Sequence, residues 1–466
     1  MDKQFLECFK KQKQHQEKVG QISYNQRIRM LNALHRAVEH TYRKDIIEAL
    51  ATDLGKPKVE AELTEIFQII GTIKHAKSNL HKWMRPKKVA TPLAMLGASS
   101  SYIHEPKGVC LIISPWNFPF NLTFGPLASA ITAGNSVIIK PSEVTPRSSE
   151  VMGDIVKTIF KEEEVSLFQG AVETSTALLE LPFNHIFFTG SPAIGKIVMT
   201  AAAKHLASVT LELGGKSPTI IDSTANLDAA AKKLMWAKSL NCGQICVAPD
   251  YILVEEGIKD KFLKSCKKWL VTFFGEDSKS SESYGRIVSD KHYKRLEQHI
   301  ENAVSSGGKL IAGGQVDAAS RFIAPTLIDN VDPEASVLKD EIFGPILPIV
   351  TYRSLDDAIS YINTKERPLA LYIYSRSKAN IKTIIKNTKA GGTVVNNSNI
   401  QFGNHELPFG GINNSGVGKS HGFFGFEAFS NKRALMKQHT FGVTEMLFPP
   451  YTGFTEALTK FAVKWF

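Results

Sequence analysis

The sequence predicts an α/β protein built from two successive domains, each a mostly parallel sheet covered by helices. Three observations lead there. From residue 107 onward, short apolar runs alternate with helical patterns, the rhythm of parallel strands joined by crossover helices. That rhythm resumes beyond about residue 226. The chain has 466 residues, 43% hydrophobic and 22% charged, which is too long for one ordinary domain and rich enough for two or three cores.

The elements follow in order. Residues 24–54 read as an amphipathic helix, with Leu31, Leu34, Val38, Tyr42, Ile46 and Leu50 at steps of three or four. Gly55 and Pro57 stop it. A second helix is predicted from Val59 to Met84, and Pro86 and Pro92 bracket an irregular or edge-strand stretch. Buried strands are then expected at 109–114, 136–140, 165–169, 185–189 and 209–213, with helices at 121–133, 146–160, 173–181 and 194–204 between them. This alternation suits a Rossmann-type dinucleotide-binding domain. After a helix near 226–239, strands at 251–255, 323–328, 346–351, 370–374 and 393–396 alternate with helices at 258–273, 290–306, 354–363 and 377–388. Residues 397–425, rich in Gly, Asn and Ser, read as a long loop of the kind that carries function. Residues 451–466 read as a short amphipathic tail.

Composition narrows the setting. The net charge is +11, but the basic residues are scattered, so nucleic acid is not an expected partner. Five cysteines, an odd number in a long chain, argue against a disulfide framework and for a reducing compartment. The first residues lack the apolar run of a signal peptide, and no stretch of about 18 apolar residues appears, so a cytoplasmic protein is expected.

Several segments carry candidate chemistry. Cys246, in Asn-Cys-Gly-Gln-Ile-Cys-Val-Ala-Pro, lies between a helix and a strand, where Gly243 permits a tight turn. Alone it reads as an inert buried thiol at least as readily as a nucleophile, and Cys242 four residues earlier raises a disulfide as a further reading. No His or Cys stands nearby at ligand spacing, so no metal is expected. Glu212, in Leu-Glu-Leu-Gly-Gly-Lys, is a carboxylate among leucines; apolar surroundings raise such a pKa and suit a general base, while a structural ion pair is the plain alternative. Asn117, in Pro-Trp-Asn-Phe-Pro, has an amide able to donate to an oxyanion, or is simply a turn residue between two prolines. The run Thr-Gly190-Ser191-Pro-Ala-Ile-Gly195 joins a strand to a helix whose N-terminus suits a pyrophosphate. Lys140 and Glu143 follow another strand, where they reach ribose hydroxyls or remain surface charges. Glu341 and Phe343 place a carboxylate and a ring near a chain turn.

Taken together and in this order, PWNFP, KPSE, FTGS, LELGGKSP, NCGQICVAPDY, EIFGP and LPFGG resemble the aldehyde dehydrogenase superfamily over residues 20–440. The CVAPDY and LPFGGINNSGVGKSHG wording resembles its class-3, fatty-aldehyde branch. The resemblance implies an aldehyde-dehydrogenase-like fold, with a cofactor domain at 1–85 and 107–211 and a catalytic domain at 212–432. A small β bridging element at 86–106 and 433–450 would pair two subunits into a homodimer. It implies NAD(P)-dependent oxidation of an aldehyde through a thiohemiacetal and a thioester on Cys246, with Asn117 at the oxyanion and Glu212 activating water. Gly190, Ser191 and Gly195 would carry the pyrophosphate, Lys140 and Glu143 the ribose, and Glu341 and Phe343 the nicotinamide end. Glu143 favours NAD, with NADP also compatible with the branch. Medium- or long-chain or aromatic aldehydes are the expected substrates, and the tail is expected over a substrate entrance or on a membrane surface. An enzyme releasing acyl-CoA is the alternative, against which a water-activating Glu212 speaks.

Overall fold

A computed structural model of the chain describes residues 3–19, 22–440 and 442–465. Two large sheets organise it. The first runs in the order Gly416–Val417, Ser208–Glu212, His185–Thr189, Val109–Ile113, Ser136–Lys140, Val165–Leu167. All its pairings are parallel except the first. Strands Val109–Ile113 and Ser136–Lys140 are buried at every position, because helices cover both faces. The second sheet runs Lys309–Ala312, Thr326–Asp329, Ile346–Tyr352, Tyr251–Glu255, Pro218–Ile221, Ala370–Tyr374, Gly392–Val395, parallel apart from its first strand. A three-stranded antiparallel sheet joins Lys87–Val89, Ala98–Pro106 and Ser430–Gln438.

The expected strands and helices of both sheets are present, with instructive departures. The helix expected over 24–54 is Tyr24–Arg36 and Arg43–Leu54 around a π-turn, Ala37–Thr41. The helix expected from 59 to 84 likewise contains a π-turn, Glu62–Ile66, between Lys58–Ala61 and Phe67–Met84. The strand expected at 323–328 is broken into Phe322–Ile323 and Thr326–Asp329, because Pro325 offers no N–H to a ladder. Residues 397–425 are not one loop: they hold a 3-10 turn, Ile400–Gly403, the two-residue strand Gly416–Val417 and the start of helix Gly422–Ala428.

Several elements are not expected from the sequence, among them Lys309–Ala312, Val316–Asp317 and Ser336–Lys339; two others bear on the architecture. Pro218–Ile221, four buried residues, sits in the interior of the second sheet. Lys3–Val19 forms a helix whose Phe5, Cys8, Phe9 and Gln12 face inward. Gln12 Nε2 donates to the Val137 and Glu162 carbonyls, fastening this helix across the first sheet. The tail forms helix Gly453–Trp465, with Phe454, Phe461, Val463 and Trp465 exposed. Among the described residues, no helix is long and apolar enough to cross a membrane.

Helix Asn121–Ala133 lies directly behind the Asn117 turn and ends at Gly134, whose φ of 91° is left-handed. The buried Arg27 guanidinium sits against that glycine and donates to the Ile22 and Thr132 carbonyls. Gly134→Ala is therefore expected to destabilise the protein by at least about 1–2 kcal/mol from the left-handed backbone alone, read as a lower urea midpoint with unchanged slope.

Candidate active site

Open α/β sheets place ligands at the carboxyl ends of their parallel strands. The first sheet sets its candidate residues there. Asn117 follows strand Val109–Ile113, Lys140 ends Ser136–Lys140, Gly190 follows His185–Thr189, and Glu212 ends Ser208–Glu212. The Gly190 N–H donates to the Glu212 carbonyl at 3.0 Å, tying two of these ends together.

Cys246 comes from the other side, on the connection between helix Leu227–Ser239 and strand Tyr251–Glu255. Its approach is strained: Asn241, Cys242 and Gly243 have successive φ values of 49°, 53° and 69°. Hydrogen bonds hold that turn. Gln244 Nε2 donates to the Asn241 and Arg286 carbonyls, and Gln244 Oε1 accepts from the Val288 N–H. The Cys242 sulfur faces Tyr284 and Gly285, and all five cysteines are free thiols.

Three cavities meet at Cys246. One, of about 370 Å³, is lined by Asn117, Gly190, Ser191, Glu212, Glu341 and Phe343 among others. A second, of about 40 Å³, lies toward Glu212, Ser420 and His421. The third, of about 250 Å³, is apolar and includes Leu63, Phe118, Leu122, Trp236, Ile245 and Phe402. Seven of the ten sequence-derived site residues thus share one cavity wall. Lys140, Glu143 and Gly195 do not line it. Gly195 packs on Leu213 within the helix Pro192–Ala203, which Ser191 caps. Lys140 Nζ donates to Glu143 Oε2 at 2.7 Å farther along the sheet edge. Burial pushes the Glu143 carboxyl up, but the Lys140 hydrogen bond and charge reverse this and hold it below the usual range.

Burial governs the groups around the sulfur. It pushes the Cys246 thiol up to about 12, with the Glu341 and Glu212 carboxylates adding to the shift; the Cys246 and Val247 N–H groups oppose it. Burial also pushes Glu212 up to about 8, against the hydrogen bond from Ser420 and the Lys419 charge. Ser420 Oγ donates to Glu212 Oε1 at 2.7 Å, while the buried Oε2 has no hydrogen-bond partner among the described residues. Glu341 is pushed up to about 7 by burial, opposed by the Gly215 N–H. Its backbone is clamped by Arg295, which donates to the Glu341 and Ile342 carbonyls at 3.2 and 2.7 Å. Asn117 Nδ2 donates to the Gln244 carbonyl at 3.0 Å, which leaves its second N–H free for another acceptor.

Ser420, Gln244, Asn241 and Arg295 were not foreseen as site residues. Ser420 lies in the Gly/Asn/Ser-rich stretch already marked as functional; the others bind backbone carbonyls and N–H groups, which leave no residue-type signal.

The model of the aldehyde dehydrogenase family matches residues 2–435. The chain belongs to the aldehyde dehydrogenase family. It is 43% identical over 423 residues to the 4,4'-diaponeurosporen-aldehyde dehydrogenase of Staphylococcus aureus, covering 91% of each chain. It is 43% identical to the dimeric NADP-preferring aldehyde dehydrogenase of Rattus norvegicus, covering 88% of this chain and 89% of that one. The solved substrate-bound state of Staphylococcus aureus AldH superposes with a TM-score of 0.94 at 40% identity, covering 98% of both chains. This aldehyde dehydrogenase oxidises aldehydes with NAD or NADP. Its residues fit such a cofactor. The larger cavity reaches from the capped helix start at Ser191 to Cys246, and a Cβ at Gly214 would collide with the Glu341 carboxylate beside it.

The neighbouring carboxylates raise the Cys246 pKa, so removing one lowers it. Alkylation of this aldehyde dehydrogenase by iodoacetamide is expected to be slow near neutral pH and to accelerate as pH rises. Glu212→Gln should bring that rise to lower pH. Rates followed between about pH 6 and 10 check this, and superimposable profiles would contradict it.

Proposed function

We propose that this aldehyde dehydrogenase oxidises apolar, medium- or long-chain aldehydes to carboxylic acids, with Cys246 as nucleophile and Glu212 as the base for hydrolysis. The observation that carries this is the position of Cys246 where an apolar cavity, a polar cavity and a partnerless Glu212 oxygen converge.

The aldehyde chain occupies the apolar cavity, with its carbonyl at the sulfur. The Cys246 thiol loses its proton to water, and the thiolate attacks the carbonyl carbon. The charge that develops on oxygen is met by the second N–H of Asn117 and the Cys246 N–H. NAD or NADP would supply the hydride acceptor for this carbon. Gly190, Ser191 and Gly195 would hold its pyrophosphate at a helix N-terminus, Lys140 and Glu143 its ribose, and Glu341 and Phe343 its nicotinamide end. The resulting thioester is attacked by water as Glu212 Oε2 takes its proton, and the thiolate leaves.

In this reading residues 1–85 and 107–211 bind cofactor, 212–432 carry the nucleophile, and 86–106 with 433–450 pair two subunits. The exposed Leu93, Leu96 and Met436 support that pairing, as does the dimeric state named for the rat relative. The exposed apolar side chains of the tail helix support contact with a membrane surface, where long-chain aldehydes partition.

Three outcomes are expected. kcat/KM should climb along an aldehyde series from two to sixteen carbons, at about tenfold or more for several buried methylenes; a clear preference for short aldehydes would overturn the substrate reading. Glu212→Gln should give a burst of about one equivalent of NADH per site and then nearly stop, whereas Cys246→Ala should give none. NAD should be preferred over NADP, and Glu143→Gln should narrow the ratio of the two kcat/KM values by relieving repulsion of the 2′-phosphate.

A further inference from the structure

The segment Asn117–Asn121 carries the oxyanion amide and, through Phe118 and Asn121, part of the apolar cavity wall. Its two ends are held by one buried ion pair from the N-terminal helices. Lys56 and Glu65 have side chains with no solvent exposure, and their charged atoms lie 3.1 Å apart. Lys56 follows the left-handed Gly55 that ends helix Arg43–Leu54. Its ammonium also donates to the Asn117 carbonyl at 3.1 Å and lies 4.3 Å from the centre of the Phe118 ring. Glu65 uses its other oxygen to accept the Asn121 N–H at 2.7 Å, where helix Asn121–Ala133 begins. Asn121 Nδ2 reaches back to the Thr64 carbonyl, closing the loop of contacts.

We infer that the Lys56–Glu65 pair is a positioning device that fixes the oxyanion amide of Asn117 by clamping its turn at both ends. Two buried charges are an expensive way to fill space, and apolar residues of similar volume serve stability as well or better. What apolar residues cannot do is donate to one carbonyl and accept from one N–H four residues away. Glu65 reaches its place because it lies in the π-turn Glu62–Ile66, whose extra residue shifts the helix face. On the same stretch, Glu60 accepts the Asn241 N–H at 2.9 Å, and Asn241 Nδ2 donates to the same Asn117 carbonyl at 3.0 Å. The stretch Lys58–Ile66, helix and π-turn together, therefore reaches both the oxyanion turn and the nucleophile turn. Displacements near 1 Å at such a site cost about 100-fold in rate.

This inference rests on Asn117 being the oxyanion donor, and the test separates the two. Lys56→Met/Glu65→Leu replaces the pair with apolar volume in the full-length enzyme. It should keep a thermal midpoint and a Cys246 alkylation rate close to wild type, and lose about 100-fold in kcat/KM. In an Asn117→Ala background the same double substitution should cost less than about threefold, because the donor it positions is already gone. A folded double variant with wild-type kcat/KM overturns the inference, as does an equal loss in both backgrounds. Wild-type kcat/KM in Asn117→Ala alone overturns the oxyanion reading itself. If the double variant does not fold, Glu65→Gln, which keeps shape but removes the charge, carries the same comparison in both backgrounds.

Discussion

Desolvation of three ionisable groups around one small volume is the constraint on which this active site depends. The Cys246 sulfur, Glu212 and Glu341 all sit in it, and each is driven toward its neutral form by burial before any partner acts. In water both carboxylates would be ionised at neutral pH, and the thiol would titrate near about 8.5. Here Glu341 and Glu212 are drawn to about 7 and 8, close to the pH at which proton transfer is most useful. The surrounding contacts serve that desolvated volume. Ser420 holds one Glu212 oxygen and leaves the other open, Arg295 holds the Glu341 backbone, and Gln244 braces the strained turn before Cys246. Farther out, Lys216 pairs with Asp250 and donates to the Val337 and Asp340 carbonyls, while Asp250 accepts the Ile342 N–H. A buried pair so fully satisfied secures the Glu341 loop without itself facing the cavity.

Much of this was legible from residue patterns. The strand ends that carry Asn117, Lys140, Gly190 and Glu212 follow from apolar runs that stop at polar residues, which is how buried parallel strands read. Cys246 was ambiguous alone and gained meaning only in the company of ordered motifs. What stayed hidden has physical reasons. The helix Lys3–Val19 carries more polar than apolar residues, and its apolar positions are few, so its periodicity is faint. Pro218–Ile221 is four residues long, below the length at which period-two and period-3.6 patterns separate. The π-turns at Ala37–Thr41 and Glu62–Ile66 insert one residue without interrupting the apolar stripe, so the pattern reads as unbroken helix. Lys56 and Glu65 are charged residues in a helical region, which ordinarily signals a solvated face; only tertiary packing brings them to full burial.

The cavities divide labour by polarity. The space toward Ser191, Glu341 and Phe343 mixes charged and aromatic groups, whereas the space toward Leu63, Trp236 and Phe402 is nearly all hydrocarbon. Cys246 is the point at which both open. An apolar wall on one side recognises size and dryness more than identity, since one methylene more or less changes discrimination only modestly. The polar side is more selective, because each fixed donor or carboxylate left without its match is costly.

The two-residue strand Gly416–Val417 pairs with the end of Ser208–Glu212, setting Gly416 opposite Glu212 and ending next to the Ser420 that holds the carboxylate. These partners are separated by some two hundred residues of chain. During synthesis, which proceeds from the N-terminus at about 5–20 residues per second, the first sheet emerges long before the segment that completes its edge. For an interval of about ten seconds or more at those speeds, the nascent polypeptide carries Cys246 and Glu212 without the segment that packs against Glu212. A ribosome-bound fragment ending before residue 416 therefore lacks both the strand that lies against Glu212 and the serine that holds its carboxylate, however well the rest of its first sheet has folded.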